Sequence, residues 1–213
     1  MYQYIFFDLD GTLTDPGIGI TNSVAYALKK WNIEVSDRSE LYCFIGPPLV
    51  DSFMKYYGFS EEDANRAVEY YREYFSEKGL YENTIFDGTA KLLVDLKAAG
   101  KKIVLATSKP QHFAETILKH FHIDQYFDVV AGATMDGTRS KKTDVIFYAL
   151  DQCRPEDKSQ VIMVGDREHD IHGANNAGLD SIGVLCGYGD REELETAGAT
   201  FIVENIEDVW ELV

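Results

Sequence analysis

The chain has 213 residues, 45% of them hydrophobic and 13% aromatic, which is enough apolar mass for one large core or two small ones and excludes intrinsic disorder. Its 17 glycines and 5 prolines follow no G-x-y period, so collagen-like and low-complexity readings fail as well. With 36 acidic residues against 20 basic ones the formal charge is -16, a field that repels a phosphate backbone or an anionic lipid surface and argues against nucleic acid and membrane as partners.

The first apolar run, 4–7, is a strand candidate, and the residues before it lack the basic segment of a secretory signal. It leads directly into Asp8-Leu9-Asp10-Gly11-Thr12. From 15 to 84 the pattern turns helical, with no convincing strand. Ile20, Val24, Leu28 and Trp31 share one helical face, and Leu49, Phe53 and Tyr56 begin a second helix after Pro47 and Pro48. Ser60 followed by Glu61, Glu62 and Asp63 opens a third, which runs through Tyr70, Tyr71 and Tyr74 to Gly79. Helical spacing makes Tyr56, Tyr57, Tyr70, Tyr71, Tyr74 and Phe75 the core of this segment.

Beyond it, short apolar runs at 102–106, 127–131, 161–164, 181–185 and 200–203 alternate with helical patterns, such as Leu92, Leu93, Leu96 and Ala99 ending at Gly100, or Phe113, Ile117 and Leu118 after Pro110. Strand then helix, repeated, predicts an α/β fold: a Rossmann-like parallel sheet with helices on both faces. A βαβ crossover needs only about 30 residues, whereas almost a hundred separate the first strand from the second. The surplus predicts an inserted α-helical cap at 15–84 in a core made of 1–14 and 85–213. No window approaches the ~20 apolar residues of a membrane span, and Cys43, Cys153 and Cys186 are far apart and form no C-x-x-C pair. The expectation is a cytoplasmic protein with reduced cysteines, monomeric or a small homo-oligomer.

In a strand alternate residues share a face, so Asp8 and Asp10 are expected to point together where the chain leaves the sheet. A lone D-x-D is usually a solvated turn, here with Gly11 as its bend. Three further features accompany it: Thr107-Ser108-Lys109 after the run at 102–106, Lys141-Lys142 ahead of the helical pattern Val145, Ile146, Ala149, and Gly165-Asp166-Arg167-Glu168-His169-Asp170 after the run at 161–164. In a parallel sheet these ends converge on the carboxyl edge, where α/β ligand sites form. Four carboxylates, a hydroxyl and an ammonium suit a hard divalent cation and a phosphoryl group. Two unit charges 4 Å apart interact by about 4 kcal/mol at an effective dielectric of 20, so one lysine does not offset a phosphate dianion among carboxylates.

DLDGT at 8–12, the hydroxyl residue Thr107, a lysine at 141 or 142 and GDxxxD at 165–170 resemble, in order, the four motifs of the haloacid dehalogenase superfamily of aspartate-nucleophile phosphatases. The resemblance covers essentially the whole chain and extends to the helical cap of the phosphoglycolate phosphatase-like branch, whose cap loop Gly46-Pro47-Pro48-Leu49 is similar to one directed at the active site. It implies that Asp8 attacks phosphorus and that Asp10 protonates the leaving alcohol and then deprotonates water. It implies Mg²⁺ held by Asp8, Asp166 and the backbone carbonyl of Asp10, with Asp170 beside them. Thr107, Ser108 and a lysine would bind the phosphoryl oxygens. Lys142 is favoured over Lys141 because it immediately precedes a helix, although the Lys-Pro pair common at that motif is missing. His169 and His172 are three apart without a third ligand, and are expected at the surface or behind the site.

The implied activity is hydrolysis of a small phosphorylated metabolite, phosphoglycolate phosphatase-like. A 5'-nucleotidase, an inorganic pyrophosphatase and a sugar phosphomutase are the alternatives within the superfamily. Asp10 argues against a dehalogenase proper, and the absence of a histidine from 14–24 argues against a mutase. A receiver module, which also gathers acids, a hydroxyl and a lysine at a sheet edge, has no place for GDxxxD or a cap.

Overall fold

Tyr-Ile-Phe-Phe forms the first strand, β1 (Tyr4–Phe7), of a computed structural model that describes residues 1–213. The chain continues through β2 (Thr14–Asp15), α1 (Gly17–Lys29), a 3₁₀ stretch at Arg38–Phe44, α2 (Leu49–Tyr57) and α3 (Glu61–Tyr74), which widens into a π-helical turn at Phe75–Gly79. It then forms β3 (Thr84–Ile85), α4 (Thr89–Ala98), β4 (Lys102–Pro110), α5 (Gln111–His120) and β5 (Val129–Ala133). The last part comprises α6 (Lys142–Cys153), β6 (Val161–Gly165), α7 (Glu168–Ala177), β7 (Asp180–Val184), α8 (Arg191–Ala197), β8 (Phe201–Val203) and a 3₁₀ segment at Ile206–Leu212. Two compact units result, one made of Met1–Asp15 with Ile85–Val213 and the other of Pro16–Thr84. No helix is long and apolar enough to cross a membrane.

The first unit is built on a six-stranded parallel sheet in the order β5-β4-β1-β6-β7-β8. Numbered along the chain, the six strands lie 3-2-1-4-5-6, the doubly wound order whose direction reverses between the first strand and the fourth. That switch point falls between β1 and β6. Their registers, Phe7↔Val164 and Phe7↔Leu105, bring the carboxyl ends of β1, β4 and β6 to one level. Because side chains alternate along a strand, Phe6, Val104, Ala106, Val161 and Met163 face one side, where they pack with Val145, Ile146 and Ala149 of α6 and Ala174 and Ala177 of α7. The intervening Ile5, Phe7, Ile103, Leu105, Ile162 and Val164 are equally buried, and α4 and α5 pack against β4. A sheet buried on both faces is why its strands read as continuous apolar runs.

In the second unit, Ile20, Val24, Ala27 and Leu28 of α1 are buried in a unit where α1 packs on α3, whose Ala64, Ala67, Val68 and Tyr71 are buried in turn. Ser60 caps α3 by accepting the Asp63 N–H at 3.1 Å, a bond typically worth about 1 kcal/mol. Of the aromatic residues expected in this core, Tyr71 and Phe75 are buried and Tyr57, Tyr70 and Tyr74 are half-buried. Tyr56 is 43% exposed, because Phe44 and Phe53, with ring centroids 4.9 Å apart, fill the centre instead.

Three other details differ from the sequence reading. The strand expected at 102–106 runs on to Pro110, with a bulge after Thr107. The strand expected at 127–131 begins at Val129, since a 3₁₀ turn occupies Asp124–Tyr126 and the Asp128 carboxylate is taken up by the Ile103 N–H and by Lys97 and Lys102. The short pair β2–β3 marks where the chain leaves the sheet unit and returns, a place where no strand is expected from two residues of pattern.

Candidate active site

The carboxyl ends of β1, β4 and β6 gather Asp8, Asp10, Thr107, Lys109, Asp166 and Asp170, and the first turn of α6 adds Lys142; all seven are buried. Asp8 follows β1, with its own N–H bonded to the Val164 carbonyl of the neighbouring strand at 2.9 Å. Asp166 follows β6, and Asp170 lies one turn into α7, where its Oδ2 accepts the Arg167 N–H at 3.1 Å and so caps the helix. Carboxylate oxygens of Asp8, Asp166 and Asp170 all lie within 4.8 Å of one another.

Lys142 joins this trio from the side. Its Nζ is 2.7 Å from Asp8 Oδ1 and 2.8 Å from Asp170 Oδ1, and it donates to the Ala106 carbonyl at 3.0 Å. Lys141, one residue earlier, is exposed and outside the cluster. Burial pushes the Lys142 ammonium down, but Asp170 and Asp8 outweigh it and the net shift is upward, so the residue is a fixed positive charge.

Asp166 is cradled on both oxygens. Thr12 donates its hydroxyl to Oδ1 at 3.0 Å, and the Tyr188 backbone N–H donates to Oδ2 at 2.9 Å. Two glycines permit this. Gly11 has a φ of +83° and a Cβ there would lie 2.2 Å from Asp166 Oδ2; one on Gly187 would lie 2.2 Å from the Gly11 carbonyl oxygen and 2.4 Å from Asp166 Oδ2.

Asp10 stands apart from the trio. Its Oδ2 pairs with Lys109 Nζ at 2.6 Å, while its Oδ1 is buried with no hydrogen-bond partner. The bulge in β4 explains how Lys109 gets there. Thr107 pairs with Gly132 and Pro110 with Ala133, so Ser108 and Lys109 are extra residues against the partner strand, and bulges of this kind re-aim side chains at sheet ends. The Thr107 hydroxyl accepts the Lys109 N–H at 3.2 Å, tying the bulge to the site. Ser108 is half-buried.

Four buried carboxylates thus face two lysines. Burial and the neighbouring Asp170 push Asp166 well above the ordinary carboxylate range, and burial moves Asp170 up to about 6 against the pull of Lys142. The formal excess of two negative charges, the all-oxygen donor set and the spacing fit one hard divalent cation. Opposite ligands of an octahedron with bonds of ~2.1 Å are about 4.2 Å apart. Asp8, Asp166 and Asp170 are the side chains able to hold it; the side chain of Asp10 is engaged elsewhere. His169 is half-buried, its imidazole pushed toward neutrality by burial, and His172 is exposed with Glu168 at 3.8 Å; neither belongs to the cluster.

Lys109, which the sequence marks only as part of the strand end after Thr107, is the second lysine of the site. Its signal was available in part, since it sits two residues past Thr107 at the same strand end. A bulge that sends it toward β1 leaves no mark in hydrophobic pattern.

The model of the haloacid dehalogenase-like hydrolases matches residues 5–184. The chain belongs to this family. It is 47% identical over 193 residues to a 5'-nucleotidase of Pseudomonas aeruginosa, with 91% of this chain and 87% of the relative covered. It is 40% identical over 200 residues to the tyrosine-protein kinase PtkA of Mycobacterium tuberculosis, covering 94% of this chain and 68% of the relative. A crystal structure described as a predicted phosphatase from Clostridium acetobutylicum superposes with a TM-score of 0.97 at 48% identity, covering 100% of this chain and 98% of the other. The sheet with its helices is the fold of these hydrolases, and the chain is an enzyme of their phosphatase kind.

Proposed function

We propose that this hydrolase is a Mg²⁺-dependent phosphatase that hydrolyses a small phosphomonoester through an aspartyl-phosphate on Asp8. The observation that supports it is the sorting of the two acids of the first motif. Asp8 shares a buried cluster with Asp166, Asp170 and Lys142, whereas Asp10 is held by Lys109 with one oxygen unengaged. A nucleophile needs electrophilic help at the phosphoryl group, and an acid/base needs an oxygen left over for the proton.

In the first step a carboxylate oxygen of Asp8 bonds to phosphorus, the bond from phosphorus to the leaving oxygen breaks, and Asp10 gives that oxygen its proton. In the second, a water oxygen bonds to the same phosphorus, its proton passes to Asp10, and Asp8 departs as a carboxylate with inorganic phosphate released. Thr107, Ser108 and Lys142 bind the transferring oxygens. Asp8 and Asp166, with the Asp10 backbone carbonyl and Asp170 beside them, would hold Mg²⁺, which would supply electrostatic stabilisation of the charge that builds on those oxygens.

Nucleoside 5'-monophosphates head the substrate classes, because the Pseudomonas 5'-nucleotidase is 47% identical over 91% of this chain. A phosphoglycolate phosphatase of Colwellia psychrerythraea is 24% identical and the pyrophosphatase PpaX of Bacillus velezensis 31%. A cytoplasmic location, where such esters and Mg²⁺ are abundant, accompanies this reading. Purified protein with Mg²⁺ is expected to hydrolyse a nucleoside monophosphate with the highest kcat/KM in a panel that includes phosphoglycolate, pyrophosphate and a sugar phosphate. Excess chelator should abolish the activity and Mg²⁺ restore it. Full activity in chelator, or no turnover of any phosphate ester, would overturn the assignment.

The helical unit is assigned the choice of leaving group, as a cap inserted between the strand before Asp8 and the strand bearing Thr107. Pro48 ends the Gly46-Pro47-Pro48-Leu49 loop and Leu49 starts α2. Leu49→Ala should therefore reorder kcat/KM among substrates by about tenfold while the Mg²⁺ requirement stays as it is. An unchanged ranking shows that this loop does not contact substrate.

A further inference from the structure

Lys109 belongs to none of the motifs that define the family resemblance, yet its side chain is only 5% exposed and its ammonium lies 2.6 Å from Asp10 Oδ2. A lysine is rarely buried without a specific partner. The strand departs from regular pairing to place it: the bulge between Thr107 and Pro110 adds two residues, and Gly132 opposite has no side chain, where a Cβ would come within 2.8 Å of the Lys109 carbonyl oxygen. The backbone N–H of Lys109 is at the same time bonded to the hydroxyl of Thr107. Lysine and acid are thus both fixed to the sheet end, and the one oxygen of Asp10 that Lys109 does not engage, Oδ1, is buried without a hydrogen-bond partner.

We infer that Lys109 is a positioning residue for Asp10: by clamping Oδ2 it fixes the rotation of the carboxylate and leaves Oδ1 as the oxygen that exchanges the proton. The inference rests on the two-step reading of Asp8 and Asp10 given above. In the second step the attacking water forms its bond to phosphorus with the electrons of its oxygen, its proton goes to Oδ1, and the bond between phosphorus and the Asp8 oxygen breaks. A carboxylate free to rotate spends less time with an oxygen along that line. The loss appears in dephosphorylation, and in phosphorylation by esters whose leaving oxygen must be protonated. Phosphorylation by an aryl phosphate, whose leaving group needs little protonation, is spared.

Rapid-quench measurements with p-nitrophenyl phosphate and Mg²⁺ separate the steps. In Lys109→Met the rate of Asp8 phosphorylation is expected to stay within about threefold of the native rate. Dephosphorylation should fall about 10- to 100-fold, part of the 10²–10⁴ typical of general acid–base catalysis, so phosphoenzyme accumulates. Lys109→Gln, which keeps an N–H donor, should recover part of the loss, and it is read alone against native protein where the Met variant does not fold. The Mg²⁺ concentration for half-maximal rate should change by less than about twofold, because the ion pair of Lys109 is with Asp10, whereas Asp8 and Asp170 are paired with Lys142. Equal loss in both steps would make Lys109 structural only and overturn the inference, as would full dephosphorylation in both variants. Asp10→Asn run beside them distinguishes the two levels. If it accumulates phosphoenzyme and the Lys109 variants do not, the role of Lys109 falls while that of Asp10 stands; if it does not accumulate either, the reading of Asp10 itself is wrong.

Discussion

Asp8→Asn is expected to reduce hydrolysis of every substrate to background, with no phosphorylated protein at any time, whereas Asp10→Asn should still take up phosphate on Asp8 and then stall. The two residues lie two positions apart just beyond the end of β1 and are chemically identical, so only their surroundings distinguish them. Asp8 Oδ1 is held 2.7 Å from Lys142 and its oxygens neighbour those of Asp166 and Asp170, the setting in which a phosphoryl group can be bound and attacked. An amide there has no carboxylate oxygen to form the acyl-phosphate bond. Asp10 pairs instead with Lys109 and offers a buried oxygen that has no hydrogen-bond partner, and an amide in its place neither gives nor takes a proton at neutral pH. Loss of that role costs about 10²–10⁴ in rate, but with a p-nitrophenyl leaving group the first step is least affected. Mass spectrometry after acid quench should find one phosphoryl adduct on the peptide containing Asp8 in Asp10→Asn, and none in Asp8→Asn. An adduct on Thr107, Ser108 or a histidine would reassign the nucleophile. Full turnover by Asp8→Asn would end the covalent mechanism.

How far such a site is legible in sequence depends on whether its residues sit on pattern or against it. Asp8 and Asp166 end apolar runs whose burial on both faces makes them visible as strands, and the parallel α/β rhythm then brings those ends together wherever they lie in the chain. Asp170 is visible as the last residue of GDxxxD after the run at 161–164, and the first turn of α7 brings it beside Asp8 and Asp166. Lys142 against Lys141 is decided by one step of helical phase, which turns the first into the cluster and the second into water. Lys109 is different in kind. Regular alternation from Thr107 specifies a shared face but neither the extra residues that bulge β4 nor the glycine opposite that makes room for them. Nor does spacing show that the two acids of the first motif have separate lysines, since that depends on three strand ends meeting at one level. Tyr56 shows the same limit in the helical unit: its spacing matches a buried face, and Phe44, from a 3₁₀ stretch with no recognisable period, occupies the centre in its place.

Lys142→Met should be the most damaging substitution among the lysines, in stability as well as in rate. Its ammonium bridges Asp8 and Asp170 at 2.7 and 2.8 Å with a side chain only 4% exposed, and methionine fills nearly the same volume without the charge. Removing one partner of a buried ion pair leaves the other uncompensated, at a cost of about 3–5 kcal/mol, and here two carboxylates are left, beside a third on Asp166. The variant should consequently unfold at lower denaturant than native protein when metal is chelated. Added Mg²⁺ should narrow the gap, since a divalent cation among the same oxygens replaces part of the missing charge and binds only the folded chain. Activity should fall by about 10² or more even at saturating Mg²⁺, because in the proposed mechanism Lys142 holds Asp8 as the nucleophile and binds the transferring oxygens. Lys141→Met, at an exposed position one residue earlier, provides the control and is expected to change neither quantity. A Lys142→Met protein with native stability in chelator would mean that a shared proton, and not the ion pair with Lys142, holds the cluster together.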